Sequence, residues 1–185
     1  FQTGEYDRNR EFVLTTSPSM DILISSNLER LIYHIAGDSA EADAGFMKKL
    51  SEEGKYQITD EMRERLGDFA GGYATEEETA EEIRERYEKD GYVIDPHTAV
   101  ASAVYGKYRK ETGDATRTVI VSTASPFKFE TSVMKALGKP HELPDLELAD
   151  ALSAVSGVAV PKAVAGLRGA EIRHKTVCDK DEKAM

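Results

Sequence analysis

Apolar positions along this chain form two kinds of run: patches at helical spacing and short unbroken stretches rich in β-branched residues. Leu28, Leu31, Ile32 and Ile35 recur at three- and four-residue steps, which predicts a helix from Ser26 onward with Gly37 at its C-terminal cap. A second helix is expected from about Ser39 to Glu53, closed by Gly54, and a short third one over Thr59 and Met62 to Leu66. Thr75 followed by Glu78 reads as a capping box, opening an acidic helix over Glu76 to Lys89. Ile83 and Tyr87 are the apolar stripe of that helix, so its outer face is solvated.

Strand signals alternate with these helices. Glu11 to Thr16 is β-prone and stops at Ser17-Pro18, where proline ends pairing. Tyr92-Val93-Ile94 and Thr118-Val119-Ile120-Val121 lack alternation, the pattern of strands buried on both faces of a parallel sheet. Each runs directly into a polar turn and a helix: Asp95-Pro96-His97-Thr98 before Ala99 to Thr112, and Ser122-Thr123-Ala124-Ser125-Pro126 before another. Strand–helix–strand–helix at these lengths is the βαβ unit, with a right-handed crossover. Helices over Leu146 to Val155 and Pro161 to Leu167 precede a short strand at Ile172. The predicted fold class is α/β, a mainly parallel sheet flanked by helices. One domain is expected, with a helical acidic insert over about 38–90.

Composition narrows the function classes. The 24 Lys+Arg against 34 Asp+Glu leave a net charge of −10, which argues against a nucleic-acid partner, because such affinity rests on cations meeting phosphates. No apolar run approaches the roughly 18 residues of a membrane helix, so no membrane partner is expected. One cysteine excludes a disulfide framework and a multi-thiolate metal site, and suits a reducing cytoplasm. The chain opens at Phe1 in a polar stretch, which reads as a cut within a longer gene product.

Ligands of open parallel sheets bind beyond the carboxyl ends of strands. Asp95-Pro96-His97-Thr98 and Ser122-Thr123-Ala124-Ser125 hold that position, each offering polar groups beside a helix N-terminus. The plainer alternative is that Asp95, Ser122 and Ser125 only cap the helices that follow. Ser17-Pro18-Ser19 and Ser25-Ser26-Asn27 are also hydroxyl-rich, and Ser25 or Ser26 suits an N-cap. No GxGxxG, P-loop or GxSxG occurs, and Gly71-Gly72 has no strand and helix arranged around it as a phosphate cradle. His34, His97, His141 and His174 show no metal-ligand spacing, so no metal is assigned. His34 is expected as a packed histidine, His141 in a surface loop, and Cys178 as a small buried residue.

Four segments nevertheless carry a resemblance. Ser17-Pro18-Ser19-Met20-Asp21-Ile22-Leu23-Ile24-Ser25-Ser26-Asn27-Leu28-Glu29-Arg30, Tyr92-Val93-Ile94-Asp95-Pro96-His97-Thr98-Ala99-Val100, Val121-Ser122-Thr123-Ala124-Ser125-Pro126-Phe127-Lys128-Phe129 and Val177-Cys178-Asp179-Lys180-Asp181-Glu182 resemble, in order, motifs of threonine synthase. That family uses pyridoxal phosphate to turn O-phosphohomoserine and water into threonine and phosphate, as a carbon–oxygen lyase. The sequence departs from the family at its tail, Lys183-Ala184 before Met185, and at Ser125, where many relatives carry His.

The resemblance implies the fold-type-II architecture, two α/β lobes with the cofactor between them, of which this chain is the C-terminal part. The family's cofactor lysine lies in an earlier Phe-Lys-Asp motif, and its phosphate-holding glycine loop also lies upstream. Neither motif occurs here, and Lys128 lacks the following Asp, so no catalytic residue is assigned and the piece alone is expected to be inactive. For the cofactor, the resemblance implies Thr123, with Ser122 second, at the pyridine nitrogen, and His97 and Thr98 lining the same crevice. Ser25, Ser26 and Asn27 are implied on the substrate side. The other reading left open is a short noncatalytic α/β binding or assembly module derived from the enzyme.

Overall fold

Four of the α-helices start where a side chain satisfies free N–H groups of the first turn. In the computed structural model, which describes residues 1–181 and 183, α1 spans Ser26–Ile35 and α2 spans Ala40–Glu52, with Ser39 Oγ accepting from the Ala42 N–H. Helix α3 (Asp60–Glu64) is capped by Thr59, and α4 (Glu76–Asp90) by Thr75, where both bonds of the predicted box with Glu78 are made. Helix α5 (Pro96–Thr112) is capped by Asp95, with Pro96 in the first turn, where no N–H is needed. A 3-10 turn over Pro126–Lys128 leads into α6 (Glu130–Ala136), and α7 (Asp145–Ser156) and α8 (Lys162–Ala165) follow. Gly91, Gly113 and Gly157 end α4, α5 and α7 at φ of 65°, 71° and 69°, a left-handed conformation in which a Cβ is strained.

The one ladder among the described residues is antiparallel and small. β1 (Glu5–Asp7) pairs with β2 (Lys55–Gln57), placing Tyr6 opposite Tyr56 with rings stacked at 5.5 Å. The α/β class is therefore realised as a helix-rich structure with a small sheet, and the strand expectations need correction. Glu11 to Thr16 is unpaired, and the strand of that region lies earlier, at β1. Tyr92 to Ile94 and Thr118 to Val121 have no ladder partner, and neither does Ile172. Val93 and Ile94 are buried by packing on helices, whereas Val119 and Val121 are 84% and 69% exposed. An apolar run measures a tendency to be buried; a strand also requires a neighbour for its N–H and C=O groups. No described residue supplies one.

Two apolar clusters hold the elements together. Ile32, Ile35, Leu50, Tyr56, Ile58 and Met62 join α1, α2, β2 and α3. Ile83, Ala99, Phe127, Val133, Met134, Leu148 and Leu152 join α4 to α7, over Val93 and Ile94. The acidic stretch 38–90 is thus divided, with α2 and α3 in the first cluster and α4 in the second.

Two further expectations fail. His34 is exposed and pairs with Asp38 at 3.2 Å, because it stands off the Leu28–Leu31–Ile32–Ile35 stripe of α1 and turns to solvent. Cys178 is exposed, in an irregular segment with no element to cover it. Glu182, which closes the last matching motif, lies outside the described residues, as do Ala184 and Met185 of the divergent tail.

Candidate functional site

The N-terminus of α5 gathers most of the polar residues singled out in the sequence. Asp95 has no exposed surface. Its Oδ1 accepts from the His97 N–H at 2.9 Å and the Thr98 N–H at 3.3 Å, and its Oδ2 accepts from the Thr98 hydroxyl. The cap reading of Asp95 is therefore correct, but the carboxylate also reaches further. Thr98 Oγ1 lies 3.0 Å from Ser122 Oγ, so the two separately identified segments meet in space. Thr98 is buried, while Ser122 and Thr123 are exposed. Ser125 caps the Pro126–Lys128 turn by accepting from the Phe127 N–H, whereas Ser122 caps nothing. The result is a buried carboxylate, a buried hydroxyl and the surface hydroxyl of Ser122 in sequence, with exposed Thr123 next to it along the chain.

His97 is held beside this chain of groups. Its Nδ1 contacts Ser17 Oγ, and its ring meets Phe129 edge-on with centroids 5.0 Å apart. Ser17 is buried, and its N–H donates to Thr15 Oγ1. Thr15 in turn donates twice to Asp21, both at 2.7 Å, and the Thr16 N–H donates to Glu76 at the start of α4. Ser17 thus belongs to the site, which sequence spacing does not reveal because 80 residues separate it from His97. Asp95 had a local signal as a helix cap; its contact with the Thr98 hydroxyl follows from the same i,i+3 spacing.

Ser25, Ser26 and Asn27 stand elsewhere, at the start of α1. The Ser25 N–H donates to Tyr6 Oη at 2.8 Å, and the Ser25 side chain makes no capping bond. Ser26 lines an open cavity with Glu29, Arg30, Tyr33 and Asp43. Partial burial, reinforced by the charge of Glu29, pushes the Asp43 carboxyl up from its ordinary value. Among the described residues no hydrogen bond joins Ser25–Asn27 to the Thr98–Ser122 group. Lys128 is exposed on its turn, and no group of three or more His, Cys, Asp or Glu that could hold a metal ion occurs among the described residues.

The donor set fits one edge of a pyridoxal ring. Surface hydroxyls can serve an uncharged ring nitrogen, and the Asp95 carboxylate is occupied behind Thr98. No helix among the described residues is long and apolar enough to cross a membrane.

Known proteins resemble this chain along most of its length. Residues 98–185 match the family described as threonine synthase, C-terminal. Threonine synthase-like 1 of Homo sapiens is 37% identical over 138 residues, covering 74% of this chain and 18% of that protein. Threonine synthase of Saccharomyces cerevisiae is 35% identical over 151 residues, covering 74% of this chain and 29% of the relative. Among solved structures, PLP-bound threonine synthase from Brucella melitensis superposes with a TM-score of 0.66 at 35% identity, over 84% of this chain and 32% of that one. The yeast threonine synthase structure gives 0.72 at 29% identity, over 90% and 34%. This chain thus spans 18% to 34% of the length of these relatives. On sequence and structure together, this chain is similar to the C-terminal portion of threonine synthases, whose family description residues 98–185 match.

Proposed function

We propose that this chain forms one wall of the cofactor crevice of a threonine synthase, the cytoplasmic enzyme that converts O-phosphohomoserine and water to threonine and phosphate. The observation that carries the reading is the Thr98–Ser122 contact, which brings the two polar segments together at the surface beside Ser122. Bound pyridoxal phosphate would supply the electron sink that makes the substrate's carbon acids accessible. Thr123 donates its hydroxyl to the ring nitrogen, and Ser122 stands beside it. A neutral hydroxyl there, in place of a carboxylate, leaves that nitrogen largely unprotonated. Thr98 holds Ser122 in place, while His97, fixed between Ser17 and Phe129, lines the crevice and keeps water from that side. Ser25, Ser26 and Asn27 serve the substrate side. The lysine that anchors the cofactor and the loop that holds its phosphate belong to the remainder of the protein, so the chain by itself is inactive.

The test is Thr123→Val in the intact protein. Turnover falls by roughly tenfold or more, the scale of one lost hydrogen bond of about 1.4 kcal/mol at the reacting centre, while cofactor stoichiometry is retained. Unchanged turnover removes Thr123 from this role. For the isolated chain, borohydride reduction after incubation with pyridoxal phosphate should leave no stoichiometric adduct. A single stoichiometric adduct, at Lys128 for instance, would show that the chain holds a cofactor site of its own.

A further inference from the structure

The hydroxyl chain behind the crevice wall has a direction. Thr98 has one hydroxyl proton and two oxygen neighbours, Asp95 Oδ2 and Ser122 Oγ. Asp95 Oδ1 already accepts two backbone N–H groups at the N-terminus of α5, and a carboxylate only accepts. The Thr98 proton therefore goes to Asp95. The Thr98 oxygen is then left to accept, and the neighbour able to donate is Ser122.

We propose that Asp95, acting through Thr98, is a positioning residue that turns the Ser122 hydroxyl proton inward, so that Ser122 presents only lone pairs to the crevice. Ser122 then accepts from an N–H or O–H group of a bound ligand, and Thr123, exposed next to it and outside the chain, is the donor. This division of labour rests on the crevice reading above, but the proton direction does not. The fully buried Asp95 carboxylate thereby accepts from three donors, the His97 and Thr98 N–H groups and the Thr98 hydroxyl.

Neutron diffraction from perdeuterated crystals of the intact protein tests the direction. The expected Ser122 deuteron lies between Ser122 Oγ and Thr98 Oγ1; a deuteron pointing into the crevice, or one on Asp95, overturns the proposal. In Asp95→Asn the amide oxygen keeps the two N–H bonds while the amide nitrogen donates to Thr98, and the chain reverses: Thr98 donates to Ser122, whose deuteron turns outward. If that variant does not fold, Thr98→Val, which leaves the backbone cap intact, frees the Ser122 deuteron in the same way. An inward deuteron retained in the folded variants would also overturn it. Loading with pyridoxal phosphate labelled with 15N at the ring separates the two ideas. Thr123→Val should move the ring-nitrogen resonance and Ser122→Ala should not. The opposite pattern overturns the division of labour. An inward Ser122 deuteron with neither variant moving the resonance would leave the relay standing and refute the crevice reading.

Discussion

Leu152 has no exposed surface and touches the centre of the second cluster, where the surrounding helices leave little room to relax. Truncation to Ala should cost about 2–5 kcal/mol, read as a lower denaturant midpoint at unchanged slope in the intact protein. Tyr56, in the first cluster, is a different kind of core residue. Burial first, then the neighbouring Tyr6 and Asp43, pushes its phenol up to about 12. The folded value lies above the unfolded one of about 10, so its contribution is complete below that pH and is lost as pH rises towards the folded value. Tyr56→Phe should therefore flatten the alkaline limb of stability between about pH 10 and 12; a limb unchanged from the parent would contradict that assignment. Residues of this kind were partly legible. The stripe Leu28–Leu31–Ile32–Ile35 marks a buried face correctly, whereas His34, within the same apolar pattern but off that stripe, turns to solvent.

At the scale of elements, the helices were legible because their signals are local. Thr75 and Glu78 needed nothing outside four residues to define the start of α4. Thr75→Ala should destabilise the protein by about 1 kcal/mol in equilibrium unfolding. Glu78 is coupled more widely: its carboxylate accepts from Lys107 of α5 at 2.7 Å, and this bond, then the Thr75 N–H, holds it below the ordinary glutamate range. A lowered folded value means that the stabilisation is present above the unfolded pKa and is lost as pH falls through the folded one. Glu78→Gln should remove that share of the acid sensitivity, and its effect should shrink in high salt because the pair is partly exposed. The strands were not legible in the same way. β1 and β2 are three residues each, the paired Asp7 and Lys55 stand 48 residues apart in sequence, and no local signal announces such a ladder.

For the whole molecule, the exposed apolar stretch at Val119 and Val121 sets a physical consequence. Extended backbone with unsatisfied pairing groups and apolar side chains is a template for association. The isolated chain should therefore self-associate in sedimentation velocity at micromolar concentration, and a monodisperse monomer would contradict this. Placing a Lys at Val121 should weaken the association. The ordered motifs and the capped helix starts were determined by the sequence itself, since each rests on residues within a few positions of one another or on their order along the chain. Which of the candidate polar residues act together was decided only in three dimensions. Ser122 and Thr98 meet across 24 residues and Ser17 and His97 across 80, while Ser25–Asn27 are joined to neither pair. Likewise, an apolar run declares that it prefers burial, but whether Val93 packs on helices or Val119 faces solvent depends on which neighbours the tertiary structure brings to it.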